Sequence, residues 1–405
     1  MNKKLWMGIL VLIPSLLFSQ KPVDKLRYQA ITPGFYHKIL ADTSIRTTPS
    51  SVAFKRMLAI SQKSMPTRID SYQRIWHQPP LSQGESGTCW CFAAVSFLES
   101  ECKRLTGKEI KLSEMFFVYH EYLERATQYV KTRGETNFGE GSETSSIPIL
   151  LKRYGCMPES AYHGKPSTYQ FHHHTQMVAE MKSYLENVKN GNAWDEEIVQ
   201  KTIASILNHY MGQPPASFQY QGKTYDAHSF ATEIVGLNPD DYVHFMSNIR
   251  QAQNQRGELI ENDNWRHFDE YYNISLDEFS NLVHSALEKG YSIAICGDVS
   301  EPGFDKTTGT AWVPDFDIPP SHINAFAREL RLYNSSTTDD HCMHVVGYTK
   351  LNDEEWYLLK DSSSSGSDSP SPGYFYMHED YVKLKMMNLM LHKEAARQVL
   401  DHIIK

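Results

Sequence analysis

The pattern of apolar and polar positions changes character along the chain. From Cys89 to Leu105 the apolar residues Phe92, Val95, Phe97, Leu98 and Leu105 recur near the helical period, and Thr106-Gly107 ends the run. Leu112-Ser113-Glu114, followed by Met115 to Tyr119, predicts a second helix with Ser113 as its N-cap. Ile147 to Tyr154 reads as a third, closed by Gly155, and Gly134 to Ser146 before it reads as a polar surface loop. Between 170 and 290 the helical period returns around Met177–Val188, Ile198–Met211 and Leu276–Leu287, with a break at Gly212-Gln213-Pro214-Pro215. Beyond Gly290 the period shortens. Tyr291–Cys296, His344–Tyr348, Trp356–Lys360 and Gly373–Met377 read as strands, with a polar loop from Asp361 to Pro372.

Helices first and strands later predict an α+β protein of two lobes. The expected layout is a signal peptide over 1–19 and an N-terminal arm over 20–78, with a helical-looking piece at Ser51–Ser64. A helical lobe over 79–168 and a helical insertion over 169–289 follow. A β lobe over 290–385 and a helical tail over 386–405 complete the chain.

Composition narrows the function. With 405 residues, 40% apolar and 22% charged, the chain is globular and large enough for a substantial core. A formal charge of −8 argues against nucleic acid, which needs a basic surface. The start of the chain looks like an export signal: basic Asn2-Lys3-Lys4, apolar Leu5–Phe18, then small Ser19. That predicts a periplasmic or extracellular protein. No later apolar run reaches the ~18 residues of a span, so no stable membrane span is expected after signal cleavage.

The six cysteines show no paired metal-binding spacing. Apart from Cys89, each reads as a small buried hydrophobe. His172-His173-His174 point in different directions and read as a solvated loop. No metal and no organic cofactor is expected.

The chemistry concentrates in Gln83-Gly-Glu-Ser-Gly-Thr-Cys89-Trp90. A cysteine opening a helix meets unpaired backbone N–H groups and a partial positive charge, which favour the thiolate. A glutamine amide one turn upstream can face the same reacting atom. The nucleophile needs a base, and the base an orienter. His341, at the head of a β-run, is the candidate base. Asp361, at the end of the next strand, is the candidate orienter. Two adjacent antiparallel strands would set them side by side, with Gln83 and the Cys89 N–H as oxyanion donors. His344 reads as a strand residue facing away from the cleft.

These residues resemble those of the papain-like cysteine peptidases. The Gln83…Cys89-Trp90 segment is similar to their nucleophile segment, and His341-Cys342-Met343 to their histidine strand. Lys360-Asp361-Ser362 followed by Gly373-Tyr-Phe-Tyr resembles their Asn-Ser-Trp-Gly strand end. His341 follows Cys89 by roughly 250 residues, against ~130–150 in the compact members. Met211–Tyr220, Gly236–Val243 and Ile295–Val299 look like the bleomycin hydrolase and aminopeptidase C branch.

The resemblance implies a papain-like fold: a helical lobe, an antiparallel β-barrel-like lobe and a helical insertion. It implies peptide substrates, hydrolysis through a thioester and, in that branch, hexameric rings whose C-terminal arm enters the cleft. Gly141 and Ser142 match in order the glycine pair that binds substrate backbone. Ser86 stands where many members carry a disulfide-forming cysteine, so that bridge is expected to be absent. Ser363 replaces a tryptophan that shields the His–Asn pair, which predicts a more solvated Asp361. The same features admit an aminopeptidase, an endopeptidase or an inactive peptide-binding protein.

Overall fold

The structure, a computed structural model, describes residues 24–30, 34–41, 56–60, 65–301, 303–364 and 366–403. The signal-like stretch 1–19 lies outside them. Within the span read as a helix at 51–64, Arg56–Ile60 is instead a strand, pairing antiparallel with Leu26–Ala30; the rest of that span is outside the described residues.

The helical lobe forms where the apolar period is clearest. The helix Cys89–Thr106 ends at Gly107, whose left-handed φ of 74° suits a residue without a side chain. The helix Glu114–Lys131 starts at Ser113, whose Oγ accepts the Phe116 N–H at 3.1 Å. Ser146–Tyr154, Thr175–Asn190 and Glu196–Met211 pack with these two around one core.

The β lobe is one large sheet. From edge to edge its strands run Phe304–Asp305, Thr310–Ala311, Tyr374–His378, Glu354–Lys360, His341–Leu351, Ile293–Gly297, Met386–His392, Tyr242–Met246, Tyr271–Asn273 and Gln255–Gly257. Gln73–Arg74 adds a short pairing to His341–Leu351. The lobe is not an antiparallel barrel. The path is open, and two of its pairings, Thr310–Ala311 with Tyr374–His378 and Tyr242–Met246 with Tyr271–Asn273, are parallel.

Two further expectations give way. The region 169–289 is not purely helical, because it sends three strands into this sheet and forms a hairpin of Phe218–Tyr220 with Lys223–Tyr225. The span 386–405 is not a helical tail either. Met386–His392 is fully buried between two strands, and among the described residues of the span only Arg397–Ile403 is helical. A strand buried on both faces shows no alternation, so its apolar run resembles a helix segment. The final helix rests on the β-lobe core through Val399, Leu400 and Ile403.

The lobes meet where the Cys89 helix lies on the His341 strand. Side chains alternate along that strand: Cys342 belongs to the helical-lobe core, Met343 and Val345 to the β-lobe core. His344 points toward the helix, with Nδ1 2.8 Å from the Ser96 hydroxyl and its ring edge-on to Phe97.

Candidate active site

Cys89 is the first residue of its helix and is partly exposed, while its neighbours Thr88 and Trp90 are buried. The loop before it is held from several sides. The Gly87 N–H donates to Glu140 Oε2 at 2.7 Å, and Trp90 Nε1 donates to the Glu140 carbonyl at 3.0 Å. Glu85 exchanges backbone bonds with His172 and His174 and pairs its side chain with His173 at 3.0 Å. The three histidines are therefore not a solvated loop. His174 is buried, and burial, reinforced by the neighbouring histidines, pushes His172 down to about 3.

His341 heads its strand opposite Asp361, which follows the next strand. Its Nε2 lies 2.5 Å from Asp361 Oδ1, and the Cys89 side chain is near enough to act on its ring. With Nε2 engaged by the carboxylate, Nδ1 is left to face sulfur. Burial works against a charged His341 ring. The Asp361 carboxylate and then Cys89 outweigh it and hold the pKa well above the ordinary histidine range. Burial likewise opposes ionised Asp361, but His341 and hydrogen bonds from Ser363 bring its pKa below the ordinary carboxylate value. The arrangement is an imidazolium–carboxylate pair beside the Cys89 sulfur.

Asp361 is not more solvated for want of a tryptophan. It is 2% exposed. Ser363 Oγ donates to its Oδ2, and Gly366 lies so close that a Cβ there would meet Oδ2 at 2.2 Å. The loop after the strand folds back and covers the carboxylate.

Gln83 is fixed at both ends of its amide. Oε1 accepts from Ser362 Oγ at 2.7 Å, and Nε2 donates to the Ser86 carbonyl at 2.6 Å, leaving its second N–H unassigned. The Gln83 backbone N–H also reaches the Ser362 carbonyl at 2.9 Å. The residue after Asp361 thus orients the glutamine, a link that spacing alone does not reveal.

Gly141 and Ser142 fare differently. Ser142 is buried, its Oγ donating to Glu121 Oε1 at 2.6 Å, so its side chain serves the fold. Gly141 is hemmed in: its carbonyl accepts from Arg125, and a Cβ would sit 2.0 Å from Asp263 Oδ2.

Cys296 and Cys342 are not separate buried thiols but a disulfide bridging the adjacent antiparallel strands Ile293–Gly297 and His341–Leu351. Their direct pairing opposite one another is a register fact that sequence order does not expose. Sequence reading also missed Glu140, Glu143, Asp339 and Asn388. The acidic pair Asp339-Asp340 directly before His341 was the available signal.

The chain is similar in sequence and in fold to known proteins. Aminopeptidase C of Lactococcus lactis is 19% identical over 412 residues, covering 91% of this chain and 93% of that protein. The mitochondrial cysteine proteinase 1 of Saccharomyces cerevisiae is 23% identical over 356 residues, covering 75% and 72%. Among solved structures, PepW of Lactobacillus rhamnosis matches with a TM-score of 0.63 at 16% identity, over 82% of this chain and 83% of that one, and so shares the fold. The Peptidase C1-like family matches residues 129–404. The chain belongs to that family, in its bleomycin hydrolase and aminopeptidase C branch, and is a papain-like cysteine peptidase.

Proposed function

We propose that this peptidase is exported and removes residues from free peptide N-termini, with Cys89 as nucleophile, His341 as acid and base, and Asp361 as orienter. The observation that carries the reading is the buried His341 ring held between Asp361 and Cys89. With its proton passed to His341, the Cys89 sulfur attacks the scissile carbonyl, and the His341 imidazolium so formed protonates the leaving amine. Water then cleaves the thioester with His341 as base. Gln83 Nε2 and the Cys89 N–H are the donors for the oxyanion. Gly141 contributes backbone to the substrate site, and Ser142 holds that loop in shape.

The aminopeptidase assignment rests on the likeness to aminopeptidase C. Export, to a periplasmic or extracellular location, rests on the N-terminal segment and on the Cys296–Cys342 bridge, which suits an oxidising compartment. A hexameric ring is the assembly that the branch suggests, and light scattering on the purified chain reads it. Two measurements test the activity. Iodoacetamide should label Cys89 first, and a free-amine peptide should be cleaved in preference to its N-acetylated twin. Labelling elsewhere with Cys89 inert would refute the nucleophile. Equal cleavage of the acetylated peptide would make the enzyme an endopeptidase.

A further inference from the structure

Four carboxylates gather beside the nucleophile from three separate segments. Glu143 follows the Gly141 loop, Glu261 and Asp263 lie between the strands Gln255–Gly257 and Tyr271–Asn273, and Asp339 stands two residues before His341. Asn388, fully buried on the strand Met386–His392, ties two of them together. Its Nδ2 donates to Glu143 Oε2 at 3.1 Å and to Asp339 Oδ2 at 2.8 Å. Its Oδ1 is buried with no hydrogen-bond partner. Asn388 Nδ2 is thus the side-chain donor that Glu143 and Asp339 share, while its own Oδ1 is a buried acceptor without a donor, which is costly.

The nearby cations do not cancel this. Arg125 acts on Asp263 and Arg250 on Glu261, while the charges that bear most on Glu143 and Asp339 are those of other acids. Burial first, and then these acids, drive Glu143 up to about 8 and Asp339 well above its ordinary value. Cys89 is among the groups that act on Asp339, and Asp339 stands two residues before His341, so this end of the cluster borders the proposed triad. A metal ion is a poor occupant. Among the described residues, the only His/Cys/Asp/Glu group tight enough to share one ion is Asp339 with Cys296 and Cys342, and those two sulfurs are joined to each other.

We propose that Glu143, Asp339 and Asn388, backed by Glu261 and Asp263, form a subsite that binds an ammonium group of the peptide substrate. An ammonium brings three N–H donors and a positive charge, and Asn388 Oδ1 and the Glu143 and Asp339 carboxyl groups can use both. Two sources share that chemistry: the α-amino group of the first residue and the side chain of a lysine. The inference deepens the peptidase reading and rests on Cys89 as the reacting residue.

The test separates binding from chemistry. In the full chain carrying Cys89→Ala, calorimetry measures three peptides: one with a free N-terminus, its N-acetylated twin, and an N-acetylated lysine peptide. At least one ammonium-bearing peptide should bind about tenfold or more tightly than the neutral twin, as charge-assisted hydrogen bonds predict. Which of the two does so names the source. Adding Glu143→Gln or Asp339→Asn to the same background should erase the preference while leaving neutral-peptide affinity within ~3-fold. A neutral twin that binds as tightly as both others, or a preference that survives both substitutions, would overturn the subsite. Failure of Cys89 as nucleophile would show separately, as a wild-type chain that binds peptides with the ammonium preference yet neither cleaves them nor reacts with iodoacetamide.

Discussion

His341 and His344 stand three residues apart on one strand, both shut away from water, yet they are driven to opposite protonation states. At 341 the ring lies between a carboxylate and the Cys89 sulfur, and its charged form wins despite burial. At 344 the ring meets the Ser96 hydroxyl, and burial, then Lys360, then His77, drive its pKa far below the ordinary value. Burial is common to both and so does not mark a reactive histidine. The neighbours decide: an anion at one position, a cation at the other.

The largest expected effect tests which ring does the work. His341→Gln should lower kcat/KM by ~10³-fold or more, the scale seen when a nucleophile loses its base. His344→Gln should stay within ~3-fold of wild type, a loss of packing without a loss of chemistry. Steady-state kinetics on a fluorogenic free-amine peptide reads both. A dead His344→Gln enzyme beside an active His341→Gln enzyme would reverse the assignment. Next in size is Gln83→Ala, which should cost kcat ~10²-fold with KM little changed, because an oxyanion donor acts on the transition state. A rise in KM alone would make Gln83 a binding residue instead.

Asp361→Asn alters the anion that sets the two histidines apart. The raised pKa of His341 means that its charge is complete below ~6.5 and is lost as pH climbs through the raised folded-state value. Removing the carboxylate should move the alkaline limb of the pH–rate profile down by roughly 1–3 units. The same pair stabilises the fold at the acid end. The lowered pKa of Asp361 gives stability that is present above ~3.9 and fades as pH falls through the folded value. An alkaline limb that does not move would mean Asp361 is not what charges the ring. The smallest effect belongs to Lys360→Met. Burial is the larger cause at 344, so proton NMR should still find that ring neutral at pH 6, with activity within ~2-fold.

What the sequence disclosed, and what it hid, follows from the range of the interactions. Cys89 at a helix start, Ser113 as a cap and Gly107 as a stop are local features, and all are visible in a few residues. The meeting of His341 with Asp361 was readable because two strands joined by a short turn leave few registers. Met386–His392 was not, since its partners lie about 90 and 140 residues upstream and its buried run has no period to betray it. The acidic cluster was hidden for a related reason. Glu143, Glu261, Asp263 and Asp339 each look like ordinary surface charges until the fold brings them together. The short tether from Ser362 to Gln83 is another such case, because nothing in the spacing of the two motifs says that they touch.

The bridge between Cys296 and Cys342 sets a condition on handling this enzyme. It staples the strand directly beside His341, the proposed base, while Cys89, the proposed nucleophile, has to stay unoxidised for that role. Too little thiol in the buffer leaves the nucleophile blocked; too much unpicks the staple. The two requirements fence off an intermediate redox window, and a strongly reducing solution lies beyond its far side.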